Sequence, residues 1–318
     1  MPLTSSNYSP FGPFKNGHFS TIYSAKLRIT PSLVQERERL TLPDGDFLDI
    51  DWSISHEHRQ RVVVLLHGLE GNSQRTYMKG MAALLIQNGW DVAAVNFRGC
   101  SGTPNKNFDS YNAGRTQDLE AAIASVLGKD LYTEIALIGF SLGGNLLMKY
   151  LGERDIVPKE IKKGVAISAP LSLQGSLECL DRCENWLYRT VFLTNLRKKY
   201  REKMSKFPEK ATMETYQKIK SILDFDNLYT APAHGFKDAQ DYYQKNSSGQ
   251  FIASIQVPTL LLNARNDSFL SSDCLPYEFA MSSQKFYLEA PKYGGHVGFH
   301  LKNSLYYSEK RALEFINE

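Results

Sequence analysis

Three short runs that are almost wholly apolar, Val62-Val63-Val64-Leu65-Leu66, Val92-Ala93-Ala94-Val95 and Ile135-Ala136-Leu137-Ile138, constrain this chain more than anything else in it. A strand with one face in water alternates apolar and polar residues. A run without alternation belongs to a strand covered on both faces, as in a parallel sheet with helices on either side. Between the runs the spacing predicts helices over Tyr77 to Asn88, with Met81, Leu84 and Leu85, and over Gly114 to Leu127, with Leu119, Ile123 and Val126 on one stripe. Strand and helix in alternation imply parallel strands joined by crossovers. The alternation continues through a helix from Leu142 to Gly152, strands Val165 to Ser168, Thr259 to Asn263 and Lys285 to Glu289, and a closing helix from about Ser304 to Ile316. The expected class is α/β, a mostly parallel, doubly wound sheet forming one domain over residues 1–318.

Two stretches depart from that pattern. Arg37 to Leu42 and Phe47 to Trp52 alternate around Pro43-Asp44-Gly45-Asp46, which predicts an N-terminal antiparallel hairpin exposed on one face. Residues 171–256 are too long for a loop and rich in helix formers, so they are expected to form a helical cap inserted into the domain. Within it Leu177, Leu180, Leu187 and Val191 follow helical spacing beside Trp186, Tyr188, Phe192 and Leu193, and packing of the cap onto the sheet is the expectation for this face, with the lining of an acyl-chain pocket by Trp186, Tyr188, Phe192 and Leu193 as the alternative. The basic run Arg197-Lys198-Lys199-Tyr200-Arg201-Glu202-Lys203 reads as a solvated helix face, with peripheral membrane contact through 197–203 as the alternative.

Composition excludes some function classes. With 37 basic and 34 acidic residues in 318, no field favours nucleic acid. No apolar run approaches the roughly 20 residues of a membrane helix. Met1 to Gly17 lacks the basic flank and apolar stretch of a signal peptide, so a cytoplasmic location is expected. Cys100, Cys179, Cys183 and Cys274 are too scattered for a disulfide framework or a zinc motif and read as buried free thiols. His56-Glu57-His58 alternates in a polar turn, a poor geometry for metal ligands, and neither a metal nor a cofactor is expected.

Gly139-Phe140-Ser141-Leu142-Gly143 follows an apolar strand and opens a helix, the context of a nucleophile elbow. Glycines flank the serine because its backbone is strained and side chains two positions away would collide across the turn. A serine needs a base to take its proton and a carboxylate to orient that base. His296, in Gly294-Gly295-His296-Val297-Gly298 after the last strand, is the expected base, with His300 as an understudy. Asp267 ends the stretch Asn263-Ala264-Arg265-Asn266-Asp267 after the preceding strand, and Asp273 behind it reads as a helix cap. The backbone N–H groups of Leu142, at the helix start, and of Leu69, in His67-Gly68-Leu69-Glu70-Gly71, are the candidate oxyanion donors. His67 reads as orienting that loop, with direct acid–base chemistry as the alternative.

Further stretches, among them Gly17-His18-Phe19-Ser20-Thr21, Asn96-Phe97-Arg98-Gly99-Cys100-Ser101-Gly102 and Phe225-Asp226-Asn227 with Tyr229-Thr230-Ala231-Pro232, make nearly the whole chain resemble the YheT-like family of predicted α/β-hydrolases. The resemblance implies the α/β-hydrolase fold, a triad of Ser141, Asp267 and His296, and a carboxylic ester hydrolase acting on a small-molecule acyl ester, short- to medium-chain or lipid. Relatives in that family more often have proline before and leucine after the histidine of Gly17-His18-Phe19, so His18 is expected to pack against the sheet. Acyl transfer to an alcohol through the same triad, and a catalytically silent binding module, are the alternatives. The oligomeric state is left open.

Overall fold

The computed structural model describes residues 3–57, 60–302 and 306–318. Among them nine strands share one sheet: β1 (Leu3–Thr4), β2 (Glu36–Thr41), β3 (Phe47–Ser53), β4 (Arg61–Leu66), β5 (Asp91–Asn96), β6 (Glu134–Phe140), β7 (Ile161–Ile167), β8 (Thr259–Leu262) and β9 (Phe286–Glu289). Their spatial order is β1-β9-β8-β7-β6-β4-β5-β3-β2. Neighbours from β1 through β5 pair in parallel, and the β5–β3 and β3–β2 pairs are antiparallel. The mostly parallel α/β class expected from the apolar runs is what is observed.

The absence of alternation in those runs has a direct cause. Val63, Leu65, Ala136 and Ile138 enter one core with Met78, Met81 and Leu85 of helix α2 (Thr76–Gln87). Val62, Val64, Leu66, Ile135 and Leu137 enter the opposite core with Leu119, Ile123 and Val126 of helix α3 (Thr116–Leu127) and Leu146 and Leu147 of helix α4 (Leu142–Glu153). Every residue of the three apolar runs is therefore buried, whichever way it points. A further helix, α1 (Gly17–Lys26), precedes the sheet's long strands and was not foreseen from the sequence. The chain leaves β4 for β5 on one side and has β6 on the other, which creates a switch point outside the carboxyl ends of β4 and β6, the usual place for a ligand crevice in such sheets.

Several expectations need correction. The exposure expected of the hairpin is confined to β2, whose residues are exposed or half-buried, whereas β3, paired on its far side with β5, is buried along its whole length. Its alternating Asp49 and Asp51 are buried and neutralised from β2: Arg39 donates to Asp49 at 2.8 and 3.0 Å, and Arg37 to Asp51 at 2.7 and 2.9 Å. Between β7 and β8 the chain is helical, with α5 (Leu173–Leu180) and α6 (Trp186–Lys206) followed by shorter helices. The stripe Leu177, Leu180, Leu187, Val191 is broken by the turn between α5 and α6, and Trp186, Leu187 and Val191 are exposed instead of packed. Nor is the basic run a uniform solvated face. Lys199 turns inward to Glu70 (2.9 Å), and buried Lys203 donates to Asn105 Oδ1 and the Asn107 carbonyl, both at 2.6 Å. Cys183 is exposed, unlike the other three cysteines. The closing helix spans Tyr307–Asn317, and Ser304, like His58, lies outside the described residues.

Arg98 ties the antiparallel edge to the rest. Its side chain is 3% exposed and meets Asp118 of α3 through two bonds of 2.8 and 2.7 Å and Asp44 of the hairpin turn at 2.6 Å. Beside it Asp46, fully buried, accepts from Asn105 Nδ2 (2.7 Å) and the Lys106 amide (2.8 Å). Removing the guanidinium would leave buried Asp118 with only the longer Arg115 contact (3.2 Å) and buried Asp46 with no cation within 4 Å among the described residues, which costs more than the pair itself gains. Arg98→Met is expected to lower stability by about 3 kcal/mol, read from the urea midpoint, with the sheet otherwise intact.

Burial pushes the carboxyls of Asp44, Asp46, Asp49 and Asp51 up, but hydrogen bonds from Arg98, Asn105, Arg39 and Arg37 respectively outweigh it, so each lies below the ordinary value of 3.8. Groups with depressed folded values stabilise the fold above their unfolded pKa and lose that stabilisation as pH falls through the folded one. The urea midpoint should therefore be insensitive to these groups down to about pH 5 and decline below about pH 4.

Candidate active site

The turn between β6 and α4 carries Ser141 at φ +52°, ψ −121°, a conformation L-residues avoid. Three backbone bonds hold it: its N–H donates to the Ile167 carbonyl of β7 (2.8 Å), and its carbonyl accepts from the N–H groups of Gly144 (2.8 Å) and Asn145 (3.1 Å). The glycines around it are needed for close approach. A Cβ on Gly143 would stand 2.6 Å from the His67 carbonyl, and one on Gly139 would collide with the Gly143 carbonyl. Asn145 was not singled out from the sequence, yet its buried amide anchors the start of α4 by donating to the Ala113 and Asn246 carbonyls and accepting from the Ser248 amide, all at 2.9 Å.

The sheet brings the three expected side chains together. His296 Nε2 lies 2.9 Å from Ser141 Oγ, and His296 Nδ1 lies 2.9 Å from Asp267 Oδ2. The Asp267 side chain is fully buried and the His296 side chain 11% exposed. Asp267 is fixed by the Phe269 amide, which donates to Oδ1 at 2.9 Å, and the Phe269 ring stacks on the imidazole at 4.2 Å. The histidine loop is held from outside the sheet. The His296 amide donates to Thr21 Oγ1 of α1 (2.8 Å), and the next amide, Val297, donates to Ser168 Oγ (3.0 Å). Thr21, Ser168 and Phe269 were not foreseen as supports; their only signal was position, Thr21 within the N-terminal Gly17-to-Thr21 stretch and Phe269 two residues after Asp267.

The loop after β4 lies against the serine, since a Cβ on Gly68 would stand 3.1 Å from Ser141 Cβ. His67 orients that loop. Its Nε2 accepts the Phe97 amide at 3.1 Å, which leaves Nδ1 to donate to the Gly68 carbonyl at 2.8 Å. Complete burial pushes its pKa down to about 3, so the ring is neutral and unsuited to exchanging protons with a substrate. The neighbouring amides of Gly68 and Glu70 are bonded to Tyr77 and Tyr111, whereas the Leu69 and Leu142 amides have no acceptor among the described residues.

Other candidates lie elsewhere. His300 stacks on Phe14 at 3.9 Å in an aromatic cluster with Tyr23 and Tyr306. Asp273 is exposed in the short turn Ser272–Cys274, whose N-cap is Ser271, and caps nothing. His18 packs on Tyr188 of α6, Nδ1 to Oη 3.2 Å, and not on the sheet, because α1 runs beside that helix. Among the described residues no three His, Cys, Asp or Glu side chains converge to hold a metal ion, and no helix is long and apolar enough to cross a membrane.

Two apolar cavities meet at Ser141 and His296. One, of about 130 Å³, runs under α5 and α6 past Leu142, Leu177 and Phe225. The other, of about 310 Å³, lies between α1, the loop after β4 and α6, bounded by Thr21, Tyr77 and Val191.

Comparison with known proteins agrees with this architecture. Residues 61–302 match the family described as alpha/beta hydrolase fold. The chain is 32% identical over 302 residues to YheT of Escherichia coli (strain K12), covering 93% of this chain and 88% of that one. It is 29% identical over 306 residues to Phospholipase ABHD3 of Mus musculus, covering 94% and 74%. The solved esterase Pf2001 of Pyrococcus furiosus superposes with a TM-score of 0.61 at 18% identity, covering 99% of this chain and 98% of that one, and so shares the fold. With an elbow serine at the switch point and a family match over most of its length, this chain belongs to the α/β-hydrolase fold family, beside YheT, as an enzyme of the esterase type.

Proposed function

We propose that the chain hydrolyses carboxylic esters through an acyl-enzyme formed on Ser141. The observation that carries this reading is the pair of 2.9 Å contacts running Ser141 Oγ to His296 Nε2 and His296 Nδ1 to Asp267 Oδ2. With Nδ1–H given to Asp267, the lone pair on Nε2 faces the serine and takes its proton as Oγ attacks the ester carbonyl. Asp267 holds the tautomer and stabilises the imidazolium. The carbonyl oxygen, now negative, is received by the Leu69 and Leu142 N–H groups, which spend their hydrogen bonds on nothing else among the described residues. As the tetrahedral species collapses, the alkoxide leaves with the proton from Nε2, and the acyl group stays on Oγ. Water then gives its proton to Nε2 and attacks the acyl carbon, and the carboxylic acid departs as Ser141 recovers its hydrogen. Each oxyanion donor contributes on the order of a hundredfold to a thousandfold in rate.

The helical segment 171–256 acts as a cap in this reading: Leu173, Leu177 and Phe192 cover one side of the crevice with apolar groups. Together with the apolar cavities, this supports a substrate that is a small apolar acyl ester or a lipid ester.

Ser141→Ala is expected to lower kcat for a nitrophenyl ester by about five orders of magnitude or more, and Asp267→Asn by about three to four, because the amide favours the wrong imidazole tautomer. Both should melt like the parent, so that a loss of activity reports chemistry. Thr21→Val removes the acceptor of the His296 amide. It should reduce kcat roughly tenfold with little change in KM, since the histidine loop is misplaced while valine, the same size as threonine, keeps the wall of the wide cavity in place.

A further inference from the structure

The two cavities at Ser141 are both apolar and both border Ser141 and His296, but they differ in size and in the residues flanking the triad that they adjoin. The smaller, about 130 Å³, is bordered by charged groups that already have partners. Asp226 accepts from Thr230 Oγ1 and Tyr243 Oη, both at 2.6 Å. Lys199 is paired with Glu70 at 2.9 Å, and Glu70 accepts from Tyr111 at 2.7 Å. Walls of this kind leave no charge for a polar ligand group, and dry apolar cavities of about 150 Å³ take up benzene-sized hydrocarbon. The wider cavity, about 310 Å³, is bounded by Val297, which follows His296, and Thr21, which holds it. Its lining residues Ile22, Leu187 and Val191 are exposed, so it opens outward between α1 and α6 on an apolar lip.

We infer that the narrow cavity receives the acyl chain and the wide one the alcohol portion, so that the substrate is an ester apolar on both sides of the scissile bond, with a short or medium acyl chain and a bulkier alcohol. This assignment rests on Ser141 acting as the acylated nucleophile. Its direction follows from the proton's path: His296 returns to the leaving oxygen the proton it took from Ser141, so the alcohol must lie on the side of the histidine loop, and that is the wide cavity. The acyl carbon remains on Ser141, which borders both cavities, so the side left to the acyl chain is the one that Thr21 and Val297 do not line, the narrow cavity bordered by Leu142. Phe192 and Phe269 line both cavities where they meet at Ser141 and His296. The partition lets the two lengths be selected independently.

The test is a matrix of kcat/KM values in which acyl length is varied with nitrophenol held constant, and alcohol length is varied with butyrate held constant. Leu180→Trp narrows the first cavity and Val191→Trp the second, with Leu173→Phe and Ile22→Trp as replacements if either fails to melt like the parent. Leu180→Trp should cut the octanoate-to-acetate ratio roughly tenfold or more and leave the octyl-to-methyl butyrate ratio as it was. Val191→Trp should do the reverse. The assignment is overturned if the axes are exchanged, or if each variant moves both ratios equally. Hydrolysis that survives Ser141→Ala, or its absence across the whole matrix in the parent, would instead strike at the serine-hydrolase reading on which the assignment rests.

Discussion

The site depends on one strained residue and what restrains it. At φ +52° the backbone of Ser141 costs on the order of 1–3 kcal/mol against its relaxed form, so it persists only where its surroundings leave no alternative. Those surroundings are β7, which accepts the serine amide, the first turn of α4, which donates to the serine carbonyl, and the β4 loop, whose carbonyls press against Gly143. All three lie at the carboxyl ends of central parallel strands, buried on both faces. A rigid sheet therefore fixes a strained turn, and the turn presents a hydroxyl to the crevice.

The partners of Ser141 are held by less regular means. Asp267 and His296 sit on loops after β8 and β9, and the imidazole position is set by Thr21 of α1, by Ser168 behind β7 and by the Phe269 ring. An N-terminal helix outside the parallel sheet thus contributes to the placement of a side chain nearly three hundred residues later. The same logic governs the β4 loop, where a neutral, buried His67 spends both ring nitrogens on backbone groups. In each case a polar side chain is used to shape a loop whose own backbone bonds are incomplete.

Much of this was legible in the sequence because it follows from local pattern. Apolar runs without alternation located the central strands, and the loops beyond the carboxyl ends of four strands pointed to Ser141, Asp267, His296 and Leu69 as a group that the topology would gather. What was not legible came from pairing across long separations. Asp49 and Asp51 alternate as if one face of their strand met water, yet Arg39 and Arg37 neutralise them inside the sheet. Lys199 and Lys203 stand in a run that looks solvated, but a helix has an inner face whatever its composition, and theirs meets Glu70 and Asn105. Asn145 and Thr21 carry no motif of their own, since their value lies in which carbonyl or amide the fold brings to them.

Acylation at Ser141 is tested most directly by reaction with a fluorophosphonate followed by peptide mapping. The expected result is a single phosphonylated peptide containing Ser141, lost in Ser141→Ala and slowed when His296 is replaced. A modification on another serine, or undiminished labelling of the Ser141→Ala protein, would contradict it.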